Sequence, residues 1–386
     1  MNIIQTTITY PPSLGGLDRY VKETTEGLIK RGHDVSVVTT DLEQPFSRNR
    51  LTIPSGYTDV GKVHRLPTFR IPRLGLPIPW KAGSIIRQHH PDIIHAHCAF
   101  HSVAPIAWRV ARQVQVPFIL NTVFSPRPGA FWKLYLRMAR RMIGQAACVI
   151  AISDFERELL IREGISGDRV TVLFPGVDLT IFKTPRASIY PRYRLERNRV
   201  IVSLGRLAFG KRVDRLIQAM PGLVRNNPDL RLLVIGPDYG DESRLRRIVS
   251  DLALDTFVIF TGPLEEEDVA AALQWSSAFV MTSDFELFGI TLIEAMAAGT
   301  AVVAPNVASV PNVVRHGETG LLYRHDSIDD LTTTVVHVLA DERLRRSLTE
   351  AAKNDVRTRF DFERNLDRLQ EIYVAAIRAN VSRRNA

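Results

Sequence analysis

Short apolar runs rich in β-branched residues recur along the whole chain and alternate with segments whose apolar positions repeat at helical spacing. Six runs lie in the first half: NIIQTTI, VSVVTT, DIIHAH, PFILNTV, CVIAIS and VTVLF. Five lie in the second half: RVIVSLG, RLLVIG, FVIFTG, AFVMTS and TAVVAP. Near-continuous apolar strands between helices are typical of parallel sheets covered on both faces. The pattern therefore predicts two doubly wound α/β domains in tandem.

The domain boundary is predicted in DLTIFKTPRASIYPRYRLERN, residues 178–198, where the periodicity lapses and prolines and charges collect. A chain of 386 residues is also too long for one ordinary hydrophobic core. We place the first domain at 1–183 and the second at 184–365. Residues 366–386 form a polar closing helix in this prediction.

The composition, 45% hydrophobic and 24% charged, is typical of soluble globular proteins. Two cysteines, Cys98 and Cys148, exclude a disulfide framework and a thiolate metal cluster, and they favour a reducing compartment. No stretch is apolar enough to span a bilayer, and MNIIQTTITY lacks the regions of a signal peptide. These features predict a cytoplasmic protein.

The net charge of +9 comes from the first half, where residues 1–183 hold 23 Lys and Arg against 14 Asp and Glu. A proline-rich, Arg-containing segment at 65–81 and a basic amphipathic helix predicted at 129–147 contribute much of it. The apolar positions of that helix are Phe131, Leu134, Tyr135, Met138 and Met142, and its cations are Lys133, Arg137, Arg140 and Arg141. The pattern predicts reversible attachment to an anionic membrane surface, peripheral on the inner face. The alternative is core packing with solvated cations.

The first candidate site is a glycine loop in YPPSLGGLDRYVKETTEGLIKRG. A strand ends at Tyr10, the loop carries Gly15 and Gly16, and a helix follows at about 17–31. Glycines before a helix N-terminus let backbone N–H groups approach a phosphate. The alternative is a plain strand-to-helix turn. Because G-x-G-x-x-G is absent, a nicotinamide or flavin site is not supported.

A second site follows the strand VSLG, where GRLAFGK carries Arg206 and Lys211 before a helix. Ligands bind α/β sheets at the carboxyl ends of the strands, and two cations there suit a diphosphate. Cations that are merely solvated are the alternative.

A third site lies in SDFELFGITLIEAMAAGTAVVAP, where residues 288–298 have almost no polar face and predict a buried helix. Glu294 is its one charge, and a buried carboxylate needs donors, which the two hydroxyls of a ribose diol would supply. The alternative is a structural ion pair with an arginine of the same domain. Glu286 precedes the helix, where the N–H groups of Phe288, Gly289 and Ile290 would hold a sugar hydroxyl or a phosphate.

In their order and spacing, ELFGITLIEAMAAGTAVVAP, GRLAFGK and the glycine-loop segment resemble the retaining glycosyltransferases of family 4, which have the GT-B fold. The resemblance covers essentially the whole chain, and the E-x7-E stretch is its most specific part. It implies two Rossmann-like domains that face a central cleft, with the last helix crossing back onto the first domain.

The resemblance also assigns roles. Gly15 and Gly16 would meet the phosphate and sugar of the donor, and Arg206 and Lys211 would bind the diphosphate and neutralise the leaving nucleotide. Glu286 would hold the transferred sugar. Glu294 would hold the ribose hydroxyls in the same scheme.

The chain contains no D-x-D triplet, and the resemblance likewise implies transfer without a metal or another cofactor. In one respect the chain departs from the family, since many relatives carry a histidine where this chain has Val123 and Phe124. His97 ends the preceding strand and would reach the acceptor side, or it is a buried, hydrogen-bonded histidine.

The sequence thus predicts a retaining hexosyltransferase with a nucleotide-diphosphate sugar, UDP- or GDP-linked, as donor. Its acceptor is a carbohydrate, a lipid-linked sugar or a phospholipid, and nucleic acid is not expected as a partner. Two alternatives stay open: a nucleotide-sugar 2-epimerase and a nucleotide-sugar binding protein that has lost turnover.

Overall fold

The computed structural model describes residues 1–13, 15–44, 49–52, 56–58, 61–70, 76–124, 130–184, 186–195 and 199–385. By its internal contacts the chain divides into two compact units. Unit 1 comprises Met1–Phe174 and Glu363–Ala386, and unit 2 comprises Pro175–Phe362. Unit 2 thus begins and ends a few residues earlier than the second domain predicted from the sequence, 184–365.

Unit 1 contains an eight-stranded sheet and a separate two-stranded ribbon among its described residues. The strands are β1 (Asn2–Thr6), β2 (Asp34–Thr40), β3 (Gly56–Thr58), β4 (Gly61–Leu66), β5 (Phe69–Arg70), β6 (Pro77–Ile78), β7 (Ile93–His97), β8 (Phe118–Asn121), β9 (Cys148–Ala151) and β10 (Val170–Val172). The sheet order is β10-β9-β8-β7-β1-β2-β4-β3, and only β3 pairs antiparallel, with β4. The strand order therefore reverses between β1 and β7.

In the described part of unit 1, five α-helices that precede unit 2 connect these strands. They are α1 (Gly16–Lys30), α2 (Ala82–Gln88), α3 (Val103–Val114), α4 (Ala130–Gln145) and α5 (Asp154–Arg162). Neighbouring strand residues such as Ile3 and Ile4 are both fully buried, although they point to opposite faces of the sheet. Helices thus cover both faces, as the continuous apolar runs predict.

Unit 2 contains a six-stranded, all-parallel sheet in the order β13-β12-β11-β14-β15-β16. Its strands are β11 (Arg199–Leu204), β12 (Leu230–Ile235), β13 (Val258–Gly262), β14 (Ala278–Val280), β15 (Val302–Pro305) and β16 (Leu321–Tyr323). Its helices are α6 (Val213–Asn226), α7 (Glu242–Asp251), α8 (Glu266–Trp275), α9 (Ile290–Ala298), α10 (Val310–Val313), α11 (Ile328–Ala340) and α12 (Glu342–Arg359). The strand order reverses between β11 and β14.

The last helix, α13 (Phe362–Asn385), packs on unit 1 as predicted. Arg31, just after α1, forms ion pairs of 2.6 Å with both Glu363 and Asp367. Deeper in the unit, the Tyr373 hydroxyl lies 2.6 Å from His95 Nδ1 and both side chains are fully buried. Burial lowers the pKa of His95 to about 4, so the imidazole is neutral. Its Nε2–H donates to Asn121 Oδ1 at 2.8 Å, which leaves Nδ1 to accept from tyrosine.

All eleven strands predicted from the apolar runs are present, but β3, β4, β5, β6 and β16 were not predicted. These strands are short or, like GKVHRL in β4, alternate polar with apolar residues, so a search for continuous apolar runs misses them. The buried helix predicted from residue 288 begins at Ile290 instead. Gly289 has φ +90°, a conformation that cannot continue an α-helix backward.

Candidate functional site

In unit 2, the loops that follow β11 and β14 meet where the strand order reverses, which is where open α/β sheets bind ligands. Three hydrogen bonds fasten these loops. The Asp284 N–H donates to the Gly210 carbonyl at 3.0 Å, and the Thr282 hydroxyl donates to the Lys211 carbonyl at 2.9 Å. The Ser309 hydroxyl, from the start of α10, donates to the Glu286 carbonyl at 2.8 Å. The two loops are therefore held in one arrangement.

Two predicted site residues are in direct contact here. Lys211 Nζ lies 2.5 Å from Glu286 Oε1, and the Ser283 hydroxyl donates to the same oxygen at 2.7 Å. The Lys211 side chain is 28% exposed and that of Glu286 is 12% exposed, so the pair is partly screened from water but open to a ligand. The sequence reasoning gave these residues separate roles and did not predict their contact. It also missed Ser283, although that serine lies in the quoted stretch.

The loop carrying Arg206 is joined to the end of β12 by backbone hydrogen bonds. Leu207 N–H donates to the Pro237 carbonyl at 2.8 Å, and Tyr239 N–H donates to the Leu207 carbonyl at 2.9 Å. A Cβ on Gly236 would lie 2.0 Å from the Gly205 carbonyl oxygen, so only glycine permits this approach. Arg206 itself is exposed, and its guanidinium lies 5.0 Å from the centre of the Tyr239 ring.

The start of α9 positions the remaining donor-site candidates. Gly289 is the N-cap, and its φ of +90° favours glycine. A Cβ there would also lie 2.8 Å from Leu292 Cδ1. Phe288 is buried and contacts the Phe360 ring at 5.5 Å between centroids. Because it precedes the N-cap, its N–H is not among the free N–H groups of the helix, in contrast to those of Gly289 and Ile290.

Glu294 lies on the buried side of α9 and is 4% exposed. The predicted burial of this carboxylate is therefore observed. Its assignment to the ribose hydroxyls stays a prediction.

A network of charges surrounds the Lys211–Glu286 pair. Asp284 Oδ1 accepts from Arg215 at 2.9 Å and lies 3.0 Å from His325 Nε2, while its Oδ2 lies 3.3 Å from Arg212. Arg212 adopts the left-handed conformation with φ +50°, and it also pairs with Asp214 at 3.1 Å. Sequence reasoning missed this network because its members come from three separate segments.

In unit 1, the glycine loop is shaped by an acidic side chain. Gly15 is the N-cap of α1, and a Cβ there would lie 2.7 Å from Asp18 Oδ2. Asp18 is buried, and the Thr9 hydroxyl donates to its Oδ1 at 2.6 Å. Glycine thus makes room for a carboxylate at the positive end of the helix dipole. Gly16 is the first residue of the helix.

His97 ends β7 beside the point where the strand order of unit 1 reverses, and it is 1% exposed. Its ring lies 4.1 Å from that of His95 and 5.8 Å from that of Tyr20. Within the described part of the chain, neither ring nitrogen has a hydrogen-bond partner. Burial lowers its pKa well below the ordinary value, so the imidazole is neutral. Its burial agrees with the alternative interpretation, but the hydrogen bond expected there is absent among the described residues, and its reach to the acceptor side stays a prediction.

Two family models match the chain. Glycosyltransferase Family 4 matches residues 14–181, and Glycosyl transferases group 1 matches residues 190–355. A GDP-mannose-dependent α-(1-6)-phosphatidylinositol monomannoside mannosyltransferase of Mycolicibacterium smegmatis is 30% identical over 90% of this chain and 92% of its own length. The chain belongs to glycosyltransferase family 4.

A second relative, the N-acetyl-α-D-glucosaminyl L-malate synthase of Bacillus anthracis, is 25% identical over 96% of this chain and 97% of its own length. Two solved structures show the same fold. Sucrose-phosphate synthase of Thermosynechococcus elongatus superposes with a TM-score of 0.82 at 23% identity, covering 98% of this chain and 99% of its own. HepE of Anabaena in complex with UDP superposes with a TM-score of 0.80 at 18% identity, covering 97% and 100%. This family 4 glycosyltransferase therefore has the GT-B fold, with two Rossmann-like domains.

Membership in family 4 establishes the reaction class, which is transfer of a glycosyl group from a nucleotide-sugar donor, a transferase of EC class 2.4. Within the described ranges, no three His, Cys, Asp or Glu side chains converge in a way that would hold a metal ion. Among the helices that the structure describes, none has the length and apolar composition needed to cross a membrane.

The structure describes only part of the two basic segments predicted at 65–81 and 129–147 in this glycosyltransferase. Helix α4 is present, with Arg137, Arg140 and Arg141 exposed and Met142 buried. The predicted positions Phe131, Lys133, Leu134, Tyr135 and Met138 have side chains outside the described part of the structure.

The β5–β6 ribbon, in the predicted proline-rich segment, exposes 51% of Phe69. Trp80, just after it, is 61% exposed. Lys81 Nζ lies 4.7 Å from the centre of the Trp80 ring. Residues 71–75 lie outside the described ranges.

Proposed function

We propose that this glycosyltransferase moves a hexose from a nucleotide-diphosphate sugar to a phospholipid or lipid-linked acceptor, with retention of anomeric configuration. The observation that carries the proposal is the contact between Lys211 and Glu286 where the strand order of unit 2 reverses. A cation and a carboxylate side by side are the two groups that a diphosphate and a sugar hydroxyl need.

The charges of the site support departure of the nucleotide. As the bond to the sugar breaks, negative charge grows on the diphosphate and the sugar gains oxocarbenium character. Lys211 and Arg206 stabilise the diphosphate. When Lys211 binds phosphate, Glu286 is left to accept hydrogen bonds from the sugar, and Ser283 keeps its carboxylate oriented. Glu294 holds the ribose.

In this scheme the acceptor attacks from the face that the leaving group departs from, and a donor phosphate oxygen accepts the acceptor's proton. Glu286 is then a sugar ligand and not a nucleophile. No metal or further cofactor takes part, and a UDP- or GDP-sugar is the donor. Support for the donor comes from a relative named as GDP-mannose-dependent and from the UDP complex of a structural neighbour.

Two observations support an acceptor at an anionic membrane surface. Relatives with 30% and 28% identity are named for transfer of mannose to phosphatidylinositol or its monomannoside. Unit 1 exposes aromatic side chains, Phe69 and Trp80, beside Lys81, and aromatic rings next to cations favour the membrane interface. The protein would act as a peripheral enzyme on the inner face of the membrane.

Transfer to a small soluble acceptor is a second candidate. It is favoured by the similarity to an N-acetylglucosaminyl L-malate synthase, which extends over 97% of that relative. This candidate keeps the same donor site in unit 2, so the two differ only in the acceptor.

The test is to incubate the purified chain with UDP-glucose, UDP-N-acetylglucosamine or GDP-mannose, and with phosphatidylinositol vesicles or L-malate. Nucleotide release and product mass are measured. A glycolipid product supports the proposal, and a glycosyl malate supports the second candidate. Free sugar epimerised at C2 and formed without acceptor would indicate the epimerase, and nucleotide binding without turnover would indicate a binding protein. Lys211→Ala is compared with Arg346→Ala, which removes an exposed arginine of α12.

A further inference from the structure

The start of α5 carries a buried glutamate that reaches beyond its own helix. Ser153 is the N-cap and accepts from the Glu156 N–H at 3.1 Å, the first half of a capping box. Glu156 is fully buried, and its Oε2 accepts from the Ile152 N–H at 2.7 Å. That contact gives a hydrogen-bond partner to the backbone N–H that directly follows β9. The second carboxylate oxygen remains for other donors.

This second oxygen fastens the turn after the neighbouring strand, β8. Glu156 Oε1 accepts from the Thr122 hydroxyl at 2.6 Å and from the Phe124 N–H at 2.5 Å. Thr122 and Phe124 flank Val123, so the carboxylate bonds to both sides of a single residue. A cap for α5 needs neither of these contacts.

Val123 is held in an unfavourable conformation. Its φ is +46°, in the left-handed region that β-branched residues rarely adopt. Thr122 and Phe124 are buried, whereas Val123 is partly exposed. Such a conformation persists only where surrounding contacts enforce it, and it is found preferentially at functional sites. The two Glu156 contacts supply that enforcement.

The turn after the neighbouring strand, β7, is hydrogen-bonded to Asn121 and Thr122, which directly precede Val123. Cys98, just after β7, has φ +77°, and its N–H donates to the Asn121 carbonyl at 2.9 Å. The Ala99 N–H donates to the Thr122 carbonyl at 3.1 Å. His97, whose ring nitrogens have no partner among the described residues, directly precedes this turn. A buried imidazole with unused hydrogen-bonding groups independently marks this edge as a ligand site.

We infer that Glu156 is a positioning residue for glycosyl transfer, which holds the Val123 turn at the carboxyl edge of the unit 1 sheet for contact with the acceptor. The inference rests on the proposed function. The donor-site cations and glutamates, Arg206, Lys211, Glu286 and Glu294, all lie in unit 2. Apart from the glycine loop with Gly15 and Gly16, the carboxyl edge of unit 1, where α/β sheets bind ligands, is then left for the acceptor.

The test compares Glu156→Gln and Thr122→Val with Glu158→Gln, which changes an exposed glutamate of the same helix. Glu156→Gln replaces one carboxylate oxygen with an NH2 group, which then faces a backbone N–H donor on whichever side it lies, and Thr122→Val removes the hydroxyl at nearly constant volume. The assays use GDP-mannose or UDP-glucose, whichever the wild-type chain consumes faster, and phosphatidylinositol vesicles. Nucleotide-diphosphate affinity and melting temperature are measured on the same samples.

We expect kcat/KM to fall about tenfold or more in both turn variants, with nucleotide affinity within about twofold of wild type. Glu158→Gln should match wild type. Unchanged kcat/KM in folded Glu156→Gln and Thr122→Val would overturn the inference. So would a loss of nucleotide affinity as large as the loss of transfer, because unit 2 would then be affected.

Val123→Gly, combined with Glu156→Gln, provides a second arm that tests the conformation of the turn itself. Glycine adopts φ +46° without strain, so adding Val123→Gly to Glu156→Gln should restore part of the lost transfer. No restoration in a folded double variant would count against the inference. If the wild-type chain ignores phosphatidylinositol, the proposed acceptor fails, and the same variants are compared on transfer to L-malate, the second candidate acceptor. Unchanged transfer would then overturn the inference about Glu156.

Discussion

Lys211 Nζ and Glu286 Oε1 lie 2.5 Å apart in unit 2, although 75 positions separate the two residues in the sequence. The contact exists because β11 and β14 are neighbours in the sheet, so the loops at their carboxyl ends converge. The pair keeps a cation and a carboxylate together before any ligand binds.

Removal of the cations tests the donor site. Lys211→Ala and Arg206→Ala should each weaken the binding of UDP or GDP, because a charge-assisted contact to phosphate contributes about 1.5–3 kcal/mol. Titration calorimetry measures the affinity, and Arg346→Ala serves as the control. Unchanged affinity in both site variants would remove the diphosphate from this loop.

The two glutamates should differ in their effects. Glu294→Gln should weaken nucleotide and donor alike, because a ribose ligand contacts both. Glu286→Gln should leave nucleotide affinity within about twofold of wild type and lower kcat, because the transferred sugar is absent from the free nucleotide. An equal loss of nucleotide affinity in the two variants contradicts this division of roles. A Glu294→Gln chain that fails to fold would support the structural ion pair instead.

The exposed basic surface of unit 1 is predicted to bind anionic vesicles. Each cation near such a bilayer contributes about 1 kcal/mol, so changing Arg137, Arg140 and Arg141 to Ser should release the protein. Flotation with anionic and neutral vesicles at low and high salt measures binding. Arg346→Ser is the matched control in unit 2. Wild-type flotation by the triple variant, or no binding to anionic vesicles at low salt, argues against attachment through α4.

Asp214 should make stability depend on pH. Burial acts to raise the pKa of its carboxyl, but hydrogen bonds from Arg212 and Arg244 outweigh burial and lower it below 3.8. A carboxyl whose pKa is lower in the folded chain stabilises the fold above its unfolded pKa, and this contribution is lost as pH falls through the folded value. Asp214→Asn should therefore lower Tm most near neutral pH. At about pH 3 its Tm should approach that of wild type. An equal Tm difference at both pH values would show that charge is not the cause.

Much of the fold follows from local sequence. A strand buried on both faces must be apolar at every position, so runs such as NIIQTTI and RVIVSLG predict parallel strands with little ambiguity. The short strands β5 and β16 could not be predicted in this way, because two or three residues are too few to show a repeat of apolar positions. The start of α9 was placed two residues early, since apolar periodicity does not reveal the left-handed conformation of Gly289.

The chemistry of the site is only partly local. The E-x7-E spacing, the glycines before α1 and the cations after β11 could be found from the sequence, because each lies within one segment. Two contacts could not be found in this way. They are the contact of Lys211 with Glu286 and the hydrogen bond between Glu156 and Thr122, which lie 34 positions apart. Such contacts depend on which strands become neighbours, and strand order is set by the packing of whole elements rather than by the period of any one of them. The sequence by itself thus determined most of the elements and the candidate groups of the site, and the tertiary structure decided which of those groups meet.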